Sequence, residues 1–505
     1  MSSPPPPSPL ARGRDALAVV GSRTAGRLAR VAGFSATSLP GLVAERVAPG
    51  IAGRLAADLG PITLVSGTNG KTTTARALAT ILRRTGHEIA TNPSGANLGQ
   101  SVTTALVGRA RLTATGLRRP GAFGVFEIDE AALPALVADV AVAQVLLTNL
   151  FRDQLDRFGE TDRIIRIWRP ALERLPPEVG IVYCADDPRL AALVAARDGG
   201  GGAARGYGFG VRPDVSRAGD VTSDVSACPV CSADLVTAWT SVGHLGSYSC
   251  GTCGFARPTP WLSVRVVESL GFDGQVLGFR WSDEDGDADR IAGADAGADT
   301  GAGGSTATAA GSIVTVRLIG TANAYNAAAA VAAAVNVGVE RRAAVAALDG
   351  LTGPFGRWET LEVDGRRVVL SLVKNPASLD EVTRAGSSAT VDGILFAFND
   401  AHADGRDVSW YWDVDPTALV PGRTFAIAGT RAPDFLLRLR YQLLQDPADE
   451  VTGSIGLFER PIDGLDAVVA AVPRGGTVLV VSTYTALLGL RAGLVDRGLV
   501  TAMPT

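Results

Sequence analysis

The sequence predicts a two-domain α/β protein. The first domain is a parallel sheet built around a phosphate-binding loop and interrupted by a small four-cysteine unit. The second is a C-terminal α/β domain of Rossmann-like type. Three observations predict this. A β-branched run at 62–66 leads into Gly67-Thr68-Asn69-Gly70-Lys71-Thr72-Thr73 and then a helical stretch at 74–83. Short apolar runs then alternate with helical stretches, the pattern of a mainly parallel sheet. Two Cys-x-x-Cys pairs, Cys228/Cys231 and Cys250/Cys253, break that alternation.

Taken in order, residues 1–15 are proline-rich and read as a disordered tail. Residues 16–60 place apolar and small residues at helical spacing. Further strand candidates follow at 124–128, 140–147 and 180–184. The cysteine unit covers 221–262. Residues 282–311 are acidic, glycine-rich and low in complexity, and read as a surface insertion. An alanine-rich helix is expected at 322–337. A linker near 353–360 then divides a first domain, 16–355, from a second, 356–505, with strand candidates at 367–373, 393–398, 424–428 and 477–481.

Composition excludes several classes. The 505 residues carry a net charge of −4, with no basic excess of the kind that marks a nucleic-acid binder. No apolar run reaches the roughly 18 residues needed to cross a bilayer, so a cytoplasmic protein without a transmembrane segment is expected. Of 47 basic residues only Lys71 and Lys374 are lysine, and asparagine occurs nine times. Lysines and asparagines that persist against such a bias are candidates for chemistry.

The loop Gly67 to Thr73 fits G-x-x-G-K-[ST]. Glycines let the backbone approach phosphates, the helix N-terminus attracts them, Lys71 reaches the β- and γ-phosphates of ATP, and the Thr72 hydroxyl holds Mg²⁺. A carboxylate for the metal is sought in Glu127-Ile-Asp129-Glu130; alternation along a strand would let Glu127 and Asp129 face the ligand edge of the sheet. Cys228, Cys231, Cys250 and Cys253 supply four thiolates at zinc-ribbon spacing, a closed set that suits structural zinc. Cys184 sits in an apolar run and reads as core. With only His87, His244 and His402, the chain offers no Cys–His pair for a glutaminase of its own.

These motifs resemble the Mur ligases, the ATP-dependent ligases of peptidoglycan precursor synthesis. The resemblance rests on Gly67–Thr73, Glu127, Thr148-Asn149, Asp153-x-Leu155-Asp156, Ala185-Asp186-Asp187-Pro188, Gly320-x-x-Asn323-x-Tyr325-Asn326 and Gly356-Arg357-x-Glu359. The closer resemblance is to the MurT group, the ligase subunits of lipid II isoglutaminyl synthase. It rests on the cysteine insertion, Asp153-Gln154, Leu372-Val-Lys374-Asn375-Pro376, Ala403-Asp404-Gly405-x-Asp407-x-Ser409-Trp410 and Gly429-Thr430-Arg431.

The resemblance implies a Mur ligase central domain carrying the zinc ribbon and a Mur ligase-like C-terminal domain. It implies ATP-dependent amidation of the D-glutamate α-carboxyl in the lipid II stem peptide through an acyl phosphate that Lys374 steadies, with Asn326 and Arg357 contacting the nucleotide. Ammonia would come from a partner glutaminase, GatD, whose triad is completed by an aspartate of this chain, Asp404 or Asp407. Action is then expected at the inner face of the membrane. Gln154 replaces the family's histidine near a second metal, and no lysine follows Asp156 in that region, which speaks against the usual two-metal site. The chain starts close to the ATP domain, so no separate UDP-binding domain is expected. An amino-acid-adding Mur-like or folylpolyglutamate-like ligase is the alternative, and a GTPase is disfavoured by the lack of an N-K-x-D motif.

Overall fold

The computed structural model describes residues 9–31, 37–92, 98–111, 116–151, 160–198, 206–212, 225–284, 312–353, 356–405, 409–443 and 453–500. Three helices open the chain, α1 (Pro9–Val31), α2 (Leu39–Val47) and α3 (Ile51–Ala56). The expected tail of 1–15 therefore overlaps a helix that starts at Pro9. Proline is tolerated in a first helical turn, and Asp15 is anchored, 4% exposed with its carboxylate 2.6 and 2.9 Å from Arg54.

An alternating segment follows: β1 (Ile62–Ser66), α4 (Lys71–Arg84), β2 (Ile89–Thr91), α5 (Gly99–Arg109), β3 (Phe123–Glu127), α6 (Leu133–Asp139), β4 (Gln144–Leu147), α7 (Glu160–Glu173), β5 (Gly180–Cys184), α8 (Pro188–Asp198) and β6 (Gly206–Arg212). The ribbon contributes the hairpin β7 (Val236–Val242) and β8 (Leu245–Ser249). Then come β9 (Leu262–Ser269), β10 (Gln275–Trp281), β11 (Ser312–Val316), α9 (Thr321–Asn336) and α10 (Arg341–Ala346). These strands form one sheet of order β11-β10-β9-β6-β5-β4-β1-β3-β2, parallel except for the pairings of β9, β10 and β11 with one another. The hairpin stands apart as its own two-stranded sheet.

β1 has β3 on one side and β4 on the other. The chain departs from it in both directions, and such switch points open a crevice at the carboxyl edge of a sheet. Every residue of β1, β4 and β5 is buried, because helices cover both faces. α9 buries Asn323–Ala334, and its alanines let it lie close to α4.

The second sheet has the order β12-β13-β17-β14-β15-β16. Its elements are β12 (Arg357–Val363), β13 (Arg366–Leu372), α11 (Pro376–Ser388), β14 (Gly393–Ala397), β15 (Thr424–Ala428), α12 (Ala432–Leu443), β16 (Ser454–Phe458), α13 (Pro461–Ala471), β17 (Thr477–Ser482) and α14 (Tyr484–Asp496). All neighbours are parallel except β12 and β13. One face buries an aromatic group, with Phe398 and Phe435 stacked at 4.4 Å and Trp410 and Tyr411 beside them. The other packs aliphatic side chains such as Leu395, Val480 and Leu487. The two sheets divide between α10 and β12. Only 282–284 of the acidic insertion lie among the described residues.

Candidate active site

The phosphate loop closes the gap between β1 and α4. Gly67 and Gly70 hold φ of +128° and +83°, which glycine alone adopts without strain. There is no room for a side chain either. A Cβ at 70 would lie 2.0 Å from Asn326 Oδ1, and one at 67 would lie 2.3 Å from Thr148 Oγ1. The end of β4 pins the loop. Asn149 accepts from Thr68 N (2.9 Å) and Asn69 N (2.9 Å), while Thr148 Oγ1 donates to Asn69 O (2.8 Å). α4 starts at Lys71, so its first-turn N–H groups have no partners within the helix.

Lys71 Nζ donates to Gly67 O at 2.6 Å and pairs with Glu130 at 3.0 Å. Thr72 Oγ1 donates to Glu127 Oε1 at 2.8 Å. Glu127 is held by Asn92, whose side chain bonds the Glu127 backbone at 2.7 and 3.0 Å. Thr72 and Glu127 thus offer adjacent oxygen ligands of the kind Mg²⁺ takes. The expectation for Asp129 fails. β3 ends at Glu127, so the strand alternation stops there, and Asp129 accepts from Ala131 N in its own turn. Glu130 faces the loop instead. Gln154, Asp153 and Asp156 lie outside the described residues.

The facing wall belongs to the second domain. Asn375 and Ser378 form a reciprocal cap on α11 (Ser378 N to Asn375 Oδ1, 3.0 Å; Asn375 N to Ser378 Oγ, 3.1 Å), with Pro376 behind the cap. That cap fixes the chain just where Lys374 leaves β13. Lys374 Nζ donates to Thr68 O at 3.1 Å, and Asn375 Nδ2 donates to Asn69 Oδ1 at 3.1 Å. Glu381 accepts from Ala322 N at 3.1 Å, capping α9 from the other domain. Burial raises its pKa, and Arg384 opposes the shift. Between the walls lies a cleft lined by Asn69, Asn326, Arg357, Trp358 and Lys374 among others. Arg357 is drawn below the ordinary arginine value by desolvation, with the Glu127 carboxylate pulling it back.

The four cysteine sulfurs lie within 4.8 Å of one another. Zinc bonds of about 2.3 Å in a tetrahedron need sulfurs roughly 3.8 Å apart; Cys228–Cys253 and Cys231–Cys250 stand at 3.7 and 3.5 Å. N–H groups of Cys253 and Thr252 hold the Cys250 thiol down to about 6. The donor set fits zinc. The two knuckles repeat one backbone pattern: Ser232 N bonds Cys228 O and Cys228 N bonds Ala233 O, as Gly254 N bonds Cys250 O and Cys250 N bonds Phe255 O.

The ribbon also reaches the cleft, which the spacing of its cysteines could not reveal. Val242 and Leu245 at the tip of the β7–β8 hairpin line it. Ser241 O accepts from Arg384 of the second domain at 2.6 Å, and Ser241 Oγ meets Tyr325 OH at 2.6 Å. Tyr325 donates to Asp186 at 2.6 Å, and Arg257 pairs with the same carboxylate at 2.6 Å. His244 lies 3.3 Å from Asp187. Burial raises Asp186 against the pull of Arg257. Burial also pushes Asp187 up, but His244 and several donated hydrogen bonds outweigh it, so its net shift is downward. The Asp186-Asp187 motif therefore fastens the ribbon to the sheet.

Asp404 is not a free carboxylate. It is 5% exposed and accepts from Thr485 N (2.7 Å), the Thr485 hydroxyl and Ala401 N (3.2 Å), capping the start of α14. Asp407 lies outside the described residues. Cys184 is buried in β5, and burial pushes its thiol up, as suits a core position.

Residues 65–235 match the family described as the Mur ligase middle domain, and residues 372–487 the family described as the MurT ligase C-terminal domain. The chain is 26% identical over 470 residues to the Lipid II isoglutaminyl synthase (glutamine-hydrolyzing) subunit MurT of Staphylococcus aureus (strain COL), covering 92% of this chain and 94% of the relative. It is 27% identical over 476 residues to the protein of the same name from Streptococcus pneumoniae (strain ATCC BAA-255 / R6), covering 92% and 93%. In fold it is similar to a pseudomurein peptide ligase type C from Methanothermus fervidus (TM-score 0.60, 18% identity, 87% and 79% covered). It is likewise similar to MurF from Acinetobacter baumannii (TM-score 0.60, 16% identity, 91% and 80% covered). With this loop, this cleft and a match in each domain, the chain joins a Mur ligase middle domain to a MurT ligase C-terminal domain and is similar to MurT subunits over 92% of its length.

Proposed function

We propose that this chain amidates the α-carboxyl of D-glutamate in the lipid II stem peptide, giving D-isoglutamine, with ATP as the energy source. The observation that carries the reading is the convergence of Lys71 and Lys374, from two domains, on the phosphate loop of a chain similar to MurT over 92% of its length. The γ-phosphoryl group passes to a carboxylate oxygen and ADP leaves. Ammonia then attacks the acyl carbon and phosphate leaves. Gly67, Thr68, Asn69, Gly70 and Thr73 shape the loop, and Lys71 neutralises the transferring group. Thr72 and Glu127 would hold Mg²⁺, which supplies charge neutralisation at the phosphates when bound. Asn326 and Arg357 border the nucleotide, and Lys374 steadies the acyl phosphate. Zinc at Cys228, Cys231, Cys250 and Cys253 would be structural.

Ammonia is mostly protonated near neutral pH, so a glutaminase partner of the GatD kind supplies it in place. Asp404 is committed to α14, so Asp407 is the residue we assign to the partner's triad. In the test, the purified chain receives lipid II, ATP and either ammonium, or glutamine with the partner. Amidated lipid II from ammonium, and from glutamine only when the partner is present, supports the reading. ATP hydrolysis with incorporation of an amino acid instead of ammonia would overturn it. Asp407→Asn should impair glutamine use while sparing ammonium use; equal loss with both would remove the triad assignment.

A further inference from the structure

We propose that the outward face of α1 docks this chain on an anionic lipid surface. Four aliphatic side chains stand out from that helix: Leu17 is 68% exposed, Val20 50%, Leu28 65% and Val31 88%. With Thr24 between them, their spacing of three, four, four and three residues places them along one side. The opposite side buries Ala18, Val19 and Ser22. Single exposed aliphatics are ordinary on a soluble protein, but an aligned row is not.

The charges complete the pattern. Arg27 and Arg30 are exposed and stand immediately before Leu28 and Val31. The sole acid of α1, Asp15, is buried against Arg54. α2 packs on α1, exposes Leu39 and Leu42, and turns its sole acid inward. Glu45 accepts from Gly50 N, Ala52 N and the Thr103 hydroxyl. On a chain whose net charge is −4, these two helices expose arginine and aliphatic groups and no free carboxylate.

A helix of this kind lies in the plane of a bilayer interface. Its aliphatic side chains enter the acyl boundary and its guanidinium groups meet lipid phosphates. Insertion across the bilayer is not implied, since no described helix is long and apolar enough to span one. A protein partner is the less favoured occupant, because interface cores are rich in aromatic anchors and α1 has none. The inference stands on the helix face alone. The proposed reaction would give it a use, since a lipid-anchored substrate is presented at such a surface.

The test is sedimentation of the full chain with vesicles of phosphatidylcholine, with and without phosphatidylglycerol and free of any ligase substrate. Binding should require phosphatidylglycerol and weaken as salt is raised. Arg27→Glu with Arg30→Glu should weaken it by about tenfold or more. Leu28→Ser with Val31→Ser should weaken it while leaving the salt dependence. Nucleotide binding and melting temperature, measured on the same variants, should stay unchanged and so report that they are folded. Failure of the unaltered chain to bind, equal binding to both vesicle types, or unaltered binding by both variants overturns the proposal. So does loss of a protein complex in these variants when the unaltered chain ignores vesicles. Because the vesicles hold no lipid II, none of these outcomes bears on the ligase reading.

Discussion

Lys71 and Lys374 approach the same carbonyl, Thr68 O, at 3.5 and 3.1 Å from opposite walls of the cleft. Lys71 is three residues from Thr68 and sits in the first turn of α4, so its position follows from the loop itself. Lys374 is 306 residues away, and its position follows from the packing of two domains and the cap on α11. The first wall is a local device that forms wherever its strand, glycines and helix form. The second is an assembly, and it reports whether the domains are closed.

The strongest way to break this contrast is to remove each lysine. Lys71→Ala should lower kcat by roughly 10² to 10³-fold, the usual cost of losing one preorganised charge at a reacting group. Steady-state ATP turnover measures it. Lys374→Ala should lower kcat by about tenfold and leave nucleotide affinity nearly intact, read by a fluorescent ATP analogue. An affinity loss equal to that of Lys71→Ala would make both walls nucleotide-binding and erase the distinction.

The ribbon sharpens the same comparison, since its hairpin touches both walls. Cys228→Ser should weaken ATP binding by about fivefold through the displaced tip at Val242 and Leu245. Zinc content and nucleotide titration on the same sample check it; zinc loss with unchanged affinity would show that the tip does not depend on the metal.

The smallest effect is expected at Glu381. Its folded pKa is raised by burial above the ordinary 4.5, so the native state favours the protonated form. Stability from this group is full below 4.5 and is lost as pH rises through the folded value. Glu381→Gln keeps an acceptor for Ala322 N and should flatten that slope in thermal melts at a cost of about 1 kcal/mol or less. An unchanged slope would remove Glu381 from the account.

The legible parts of the sequence are those whose signal is local. β5 and β15 announce themselves as short, mostly apolar runs and β1 as a β-branched one, because both faces are covered. The loop is legible because its chemistry needs one short stretch. β6 is hidden by its glycines, and β9, β10 and β16 by partly exposed, weakly patterned residues. In the site, Glu127 and Thr72 follow from motif and strand. Glu130, Glu381 and the hairpin tip do not, because their partners lie 59 or more residues away. Asp404 misleads for a related reason. Its neighbours in sequence suggest an exposed turn, and only Thr485, 81 residues on, shows it to be a buried cap.

The paired cysteine knuckles share their hydrogen bonds but not their residue at the left-handed position. Gly254 takes φ +74° freely, whereas Ser232 takes +63° with a side chain, which costs on the order of 1 kcal/mol. The ribbon therefore has halves of unequal backbone strain. The Cys228–Cys231 half is expected to open first, which the order of alkylation of the four cysteines in the zinc-loaded chain would read.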